Sequence, residues 1–413
     1  MQQNDNKNRP ISKQHPNVLA VVDVGSAKTI ALVGEITESG LRYRGHGVSE
    51  ARGSRKGAIV DLEKAGASIQ RAVEEAEKVA QTAVEHVVVG VGGVHIKGVN
   101  SRGGIALGLR PREITREDIR QAVDKARSVA LPPDRTVLHL LPQEFIIDQQ
   151  GSIRDPAGMT GTRLEVNLHM VTGTSTVTQN VVTVINRAGI HVDDAVFEAL
   201  ACADCTLKAD ERELGVCLAD IGAGSTDIVV FFEGAVAHSG VVPVGGDHFT
   251  NDVAVGLRTP LAEAEKIKRL FGSAIIERVP AGNEIEVPAV GDRPSRLMSQ
   301  RLLAEILEPR AIELFDLVRE NLKQGGVLDS IGAGMVLTGG GARLPGLTDI
   351  AEEVMQRPAR LSSPMPVARL PVELAEPEYA TVIGLLLYAE RGRQSRNVKE
   401  RGLGSRLKSF FGG

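Results

Sequence analysis

Apolar residues fall into two kinds of run along this chain. Short continuous runs at residues 18–22, 30–33, 87–91, 216–219, 228–232 and 335–338 carry the strand signal. Residues 136–141 read as a further strand. Leu164, Val166, Leu168 and Met170 alternate with polar neighbours, as a half-buried strand does. Other stretches have helical periodicity. A helix is predicted from Thr115, with Ile119, Val123, Ala126 and Val129 as its stripe and Asp118 as a variant capping-box partner. More helices are predicted at about 175–187 (stopped by Gly189), 198–208, 261–271, 347–355 and 381–388. Pro309 is expected to kink or divide another, at 301–323.

Two of the strand pairs repeat one pattern. The run 18–22 leads into Asp23-Val-Gly25-Ser26-Ala27-Lys28-Thr29 and then the run 30–33. The run 216–219 leads into Asp220-Ile-Gly222-Ala-Gly224-Ser225-Thr226 and then the run 228–232. Asp23 and Asp220, Gly25 and Gly222, and Thr29 and Thr226 are separated by the same number of residues. Two matching hairpins half a chain apart predict a duplicated domain. A third cluster, Gly339-Gly340-Gly341, follows the strand at 335–338. Strand, glycine turn and helix together aim backbone N–H groups at an anion.

At 413 residues the chain predicts two to four compact units. Its net charge of −4 gives no global pull towards nucleic acid, and nine Phe, three Tyr and no Trp make a base-stacking platform a poor reading. Its 45 glycines fit a protein rich in tight loops. Cys202, Cys205 and Cys217 cannot build a disulfide framework, and the Cys202–Cys205 pair lacks a partner pair for zinc. They are expected as small buried hydrophobes in a reducing compartment. No signal peptide and no membrane-spanning run is expected.

Two glycine hairpins on opposite domains suit a nucleoside triphosphate with magnesium. Glycines let amides approach the oxygens. Ser26, Ser225 and Thr226 can add hydroxyl donors, and Lys28 a cation. Asp23 and Asp220 would repel phosphate, so their sensible role is to hold magnesium through its waters. The plainer alternative is that they only shape turns.

These residues resemble the actin–hexokinase–Hsp70 ATPase superfamily: 18–33 looks like its first phosphate motif, 218–230 its second and 336–346 its adenosine motif. Gly245 and Gly246 look like a further backbone contact to phosphate. Glu265 and Lys268 look like the adenosine-side helix of the bacterial actins. Stretches at 28–35, 138–145, 211–220, 336–340 and 378–386 are similar to the bacterial cell-division family FtsA. The resemblance implies an α/β, actin-like (ribonuclease H-like), duplicated two-lobe ATPase fold with an inserted β-α-β-β subdomain, 1C. The expected division is an unstructured 1–17; subdomain 1A at 18–84, 170–210 and 377–390; 1C at 85–169, opening with the strand at 87–91; 2A at 211–245 and 325–376; and 2B at 246–324. It implies ATP and magnesium as cofactors, and polymerisation through 1C. Implied partners are the tubulin-like protein FtsZ, bound through 2B, and later division membrane proteins, reached through 1C. It places the protein on the cytoplasmic face of the cell membrane at the septum. No residue stands out as the base that activates water, so hydrolysis is expected to be slow at most. Rival readings are a pilus-assembly relative and a sugar or small-acid kinase on the same fold.

The end of the chain carries a second signal. A polar linker is expected at 391–401, and a helix at 402–413. Leu403, Leu407, Phe410 and Phe411 share one helical face, flanked by Arg406 and Lys408. From Arg391 onward there are seven basic residues and one acid. The pattern predicts an interfacial helix for anionic lipid, each apolar side chain contributing about 1.5–3 kcal/mol when buried. A disordered basic tail or a helix docking on protein is the alternative. A helix this short is marginal in water, so folding and membrane binding are coupled. The family resemblance implies the same role, since its members end in such a helix.

Overall fold

The computed structural model describes His15, residues 17–291 and residues 293–393. Strand β1 (Val18–Val24) forms a hairpin with β2 (Lys28–Thr37), and β3 (Gly40–Glu50) extends it. Helix α1 (Leu62–Ala80) begins at Asp61, whose side chain accepts from the Lys64 N–H. Its buried face of Ala65, Ile69, Ala72, Val73 and Ala76 lies on this sheet. Strand β4 (His86–Val91) runs parallel to β1. Next come β5 (Lys97–Ala106), α2 (Arg116–Arg127), β6 (Arg135–Ile147), β7 (Gln150–Ile153) and β8 (Arg163–Thr174). Helix α3 (Ser175–Arg187), β9 (His191–Phe197) and α4 (Glu198–Thr206) complete the first half.

The second half repeats the first. After α5 (Ala209–Leu214), strands β10 (Val216–Ile221), β11 (Thr226–Phe232) and β12 (Ala235–Val242) form an antiparallel meander. Helices α6 (Gly246–Leu257), α7 (Leu261–Phe271) and α8 (Gln300–Gln324) follow. Then β13 (Met335–Thr338), α9 (Leu347–Met355) and β14 (Ala359–Leu361) close the second sheet. The sheets have orders β9-β4-β1-β2-β3 and β14-β13-β10-β11-β12. In each, a three-stranded antiparallel meander carries two parallel strands on the edge of its first strand. The duplication predicted from the two hairpins is therefore present in the topology.

The layer between the sheets explains the apolar runs. β10 is buried at all six positions. Val216 and Leu218 join the first core, whereas Cys217, Ala219 and Ile221 join the second, so both faces are covered. Helix α4 and the helix at 380–393 fill the space on the first side. All three cysteines are free and buried, as expected.

The structure corrects several sequence expectations. The strand at 87–91 does not open the insert: it pairs with β1 and β9 inside the first sheet. The insert's own sheet has order β7-β6-β8-β5, and its first strand is β5, whose glycines and polar residues hid it. Thr115 and Asp118 do form the capping box of α2, but Ala122 takes the buried place expected for the exposed Val129. Pro309 lies inside α8 without dividing it. Residues 391–393, expected in the linker, continue the final helix. The remainder of that linker and the expected membrane helix, with Leu403, Arg406, Leu407, Lys408, Phe410 and Phe411, lie outside the described residues.

The final helix packs closely on α4. A Cβ at Gly384 would sit 1.9 Å from the Ala201 carbonyl oxygen, whereas one at Gly392 meets nothing within 4 Å. Gly384→Ala is expected to destabilise the protein by about 2–3 kcal/mol through overpacking. Gly392→Ala should stabilise it by about 0.5–1 kcal/mol by its better helix propensity. Urea denaturation of both variants checks this. Equal midpoints would contradict the packing described.

Candidate functional site

The two repeated hairpins place their turns against each other. Residues 25–27 join β1 to β2 and residues 222–225 join β10 to β11. A Cβ at Gly224 would lie 2.9 Å from Ser26 Oγ and 2.8 Å from the Lys56 Cα, so the turns of the two halves are in near contact. The third cluster packs on the second turn. Gly339 has φ +84°, and a Cβ there would lie 2.3 Å from Asp220 Oδ1. Only glycine satisfies both the left-handed backbone and that approach.

Four carboxyl groups converge behind these turns. Asp23, Asp220 and Asp227 are less than a tenth exposed, and Glu198 opens α4 between the sheets with partial solvent contact. Burial, then the neighbouring Asp220, pushes the Asp23 carboxyl up to about 7, with Lys28 opposing. Burial likewise pushes Asp227 up to about 7, reinforced by Asp220 and Asp23. Glu198 is driven well above the usual carboxylate range by burial and by Asp23, Asp227 and Asp220. Asp220 is also raised by burial, although Cys202 Sγ and Thr381 Oγ1 each donate to it at 3.0 Å. Asp227 ties the halves together, accepting from the Gly93 N–H at 3.1 Å. A Cβ at Gly92 would meet both Glu198 Oε2 and Asp227 Oδ2.

Buried acids at this density hold protons unless a cation neutralises them. The all-oxygen donor set fits a hard dication such as magnesium, which keeps several waters. The fit is to Asp23 and Asp220, the expected pair, with Glu198 and Asp227 added.

Sequence reasoning missed Glu198 and Asp227. Asp227 does carry a signal: it is a lone charge beside the apolar run 228–232. Glu198 carries less, because a glutamate at a helix start is ordinary.

Other expected residues are placed less directly. Lys28 Nζ pairs with Glu378 at 2.8 Å and lies over the Tyr379 ring, 3.8 Å from its centroid. Arg343 binds the same Glu378 at 2.9 Å, and Gly340 lies beside it. Lys28 and Gly340 thus both lie against Glu378. The Thr226 hydroxyl is turned inward and donates to the Val244 carbonyl at 2.8 Å. The Gly246 N–H donates to Gly222 O at 2.9 Å, and the Gly245 N–H to His248 Nδ1 at 3.1 Å. The Gly246 amide holds the start of α6 to the second turn, and the Gly245 amide is engaged within the start of that helix. Lys268 braces the same corner, binding Glu265 at 2.6 Å and donating to Gly246 O at 3.0 Å. Ser225 O accepts from the Gly222 N–H, closing the second turn. Ala27 O accepts from the Ala51 N–H, and Gly25 O from Ser54 Oγ, fixing the first. Gly341 packs on Ile221.

Comparison with known proteins gives a consistent result. Residues 217–384 match the family model for cell division protein FtsA, and residues 93–172 match that for the SHS2 domain inserted in FtsA. Cell division protein FtsA of Pseudomonas aeruginosa is 44% identical, covering 91% of this chain and 90% of its own length. That of Escherichia coli K12 is 38% identical, covering 89% of each. The Borreliella burgdorferi relative is 35% identical over 96% of this chain and 98% of its own. Among solved structures, a chain of the PilM–PilN type IV pilus biogenesis complex has a TM-score of 0.64 at 16% identity, covering 90% of this chain and 98% of its own. ADP-bound MreB5 of Spiroplasma citri has a TM-score of 0.53 at 15% identity, covering 93% of this chain and 99% of its own. These two establish an actin-like fold.

The raised carboxyls have a definite pH signature. Folded values above the unfolded one stabilise the empty protein in acid, and that contribution is lost as pH rises through about 7. Magnesium needs the carboxylates, so its nucleotide complex should bind more tightly at pH 8 than at pH 6. Binding below neutrality should release protons. Asp220→Asn should weaken Mg-ATP at least tenfold, about 1.4 kcal/mol, while leaving metal-free ATP nearly unchanged. Calorimetry in two buffers of different ionisation heat reads both effects. Equal losses with and without magnesium would contradict the role given to Asp220.

Proposed function

The chain belongs to the FtsA family of cell division proteins, and on that premise we propose that it is a nucleotide-dependent adaptor. It binds Mg-ATP between its lobes, polymerises, and ties FtsZ filaments to the cytoplasmic face of the cell membrane at the septum. The observation that carries the nucleotide part is the pair of facing glycine turns over the buried Asp23 and Asp220.

The residue roles follow from that placement. The turn 25–28 and the turn 222–225 clasp the phosphates. Ser26 and Ser225 supply hydroxyls, and Lys28 a cation once it exchanges Glu378 for phosphate. Asp23 and Asp220 would hold magnesium through its waters. Gly339, Gly340 and Gly341 line the adenosine side, and Lys268 with Glu265 fixes the position of α6. Glu198 supplies the carboxyl group beyond the turns from which slow hydrolysis would proceed. Burial and the neighbouring carboxyls hold its proton, and it would serve as a base only if a bound cation favoured its charged form.

Membrane attachment rests on the sequence of the tail. Among the described residues no helix is long and apolar enough to cross a membrane. An amphipathic end adsorbs weakly as one copy and firmly as many, so polymerisation and attachment reinforce each other. Subdomain 2B, 246–324, is assigned to FtsZ, and the insert to self-association and to later division proteins. The kinase reading is disfavoured because a soluble small-molecule enzyme has no use for such a tail. The pilus reading shares the fold, but the relatives at 35–44% identity are division proteins.

Pelleting with anionic vesicles tests the proposal. The full chain should co-sediment, and more so with ATP. Truncation after Glu400, or Phe410→Glu with Phe411→Glu, should cut vesicle binding at least tenfold and leave ATP binding intact. Unchanged co-sedimentation of the double variant would refute the tail role. Rapid phosphate transfer from ATP to sugars or small acids would favour the kinase.

A further inference from the structure

The strands that end at Val91 and Phe197, beside the carboxyl cluster, begin at their opposite ends with two histidines. His86 starts β4 and His191 starts β9, and the parallel register pairs them directly. With six or seven residues per strand at about 3.3 Å each, this end lies roughly 20 Å from the strand ends beside the carboxyl cluster. The pairing then slips. Val192 lies opposite Val87, but Asp194 lies opposite Val88, so Asp193 is an extra residue in the ladder. A bulge of this kind re-aims a side chain, and here it brings the Asp193 carboxylate to both rings. Asp193 Oδ1 is 2.8 Å from His86 Nδ1 and 3.9 Å from His191 Nε2. The two imidazoles stand nearly perpendicular, with centroids 5.1 Å apart. One ligand atom from each of the three residues lies within 4.8 Å of the others, and all three residues are exposed.

We propose that His86, His191 and Asp193 form a binding site for a divalent transition-metal ion, with Zn2+ as the reference ion. Two imidazoles and one carboxylate suit borderline ions such as Zn2+, Co2+ or Ni2+, whereas magnesium and calcium prefer oxygen alone. Metal–nitrogen and metal–oxygen bonds of about 2.0–2.2 Å put tetrahedral ligand atoms about 3.4 Å apart. The 2.8 and 3.9 Å separations bracket that value, and the three ligand atoms all lie within 4.8 Å of one another. Water fills the remaining position. The ion would clip β4 to β9, an edge strand of the first sheet, across the whole intervening insert. This site is independent of the nucleotide reading.

The test uses the untagged full chain, stripped with a chelator and titrated with ZnCl2 in a calorimeter. Co2+ absorption in the visible range serves as a second readout. One equivalent should bind, and His86→Ala, His191→Ala and Asp193→Asn should each weaken it at least tenfold. His46→Ala should leave it unchanged. All three substitutions are at exposed positions, so matching metal-free thermal melts will show that the variants fold. Zn2+ should raise the melting temperature of the parent protein but not of His86→Ala. No stoichiometric binding at about 0.1 mM metal, or binding that survives the three substitutions, would overturn the proposal.

Discussion

Four clustered carboxyl groups, three of them buried, all held above the usual carboxylate range, lie where the two halves meet. Asp23 comes from the first hairpin, Asp220 and Asp227 from the second, and Glu198 from the helix between the sheets. A cluster like this is costly in an empty protein unless protons neutralise it. It becomes favourable when a dication and its anionic ligand occupy the space. In the proposed function, occupancy of the site would be coupled to how the two halves meet, because a ligand shifts conformation only through its differential affinity.

The same layer touches everything else the protein is proposed to do. Thr381, which donates to Asp220, lies in the first turn of the helix at 380–393. Phe197, next to Glu198, donates its N–H to His139 Nε2 on the insert's β6 at 2.9 Å. Burial pushes His139 down to about 4, so it stays a neutral acceptor there. The insert also rests on the second half, where His169 bonds Ser239 at 2.8 Å and Gln143 donates to the Val236 carbonyl at 2.9 Å. The carboxyl cluster, the insert and the helix at 380–393 are thus one continuous set of packed contacts.

The hairpins were legible in the sequence because strand, glycine turn and strand repeat with fixed spacing, and because both faces of β10 are buried and read as an unbroken apolar run. The long amphipathic helices were legible for the matching reason, their period. β5 was not, because its glycines make room for α2 and erase the apolar signature: a Cβ at Gly103 would lie 2.1 Å from the Ala126 nitrogen. The strand at 87–91 was read correctly as a strand and assigned to the wrong sheet, since a parallel pairing is non-local and leaves no turn to mark it. Within the site, Asp23 and Asp220 announced themselves by repetition. Glu198 and Asp227 join them only through folding. The inward Thr226 hydroxyl and the engaged Gly245 and Gly246 amides show that motif residues also serve to hold their own loops in place.

The most direct measurement is the position of the metal in crystals grown with Mn2+ and ATP, read from anomalous scattering. A single manganese peak between Asp23 and Asp220, with phosphates seated between the 25–28 and 222–225 turns, is the predicted result. Manganese on an outer surface, or a nucleotide bound away from those turns, would contradict the account.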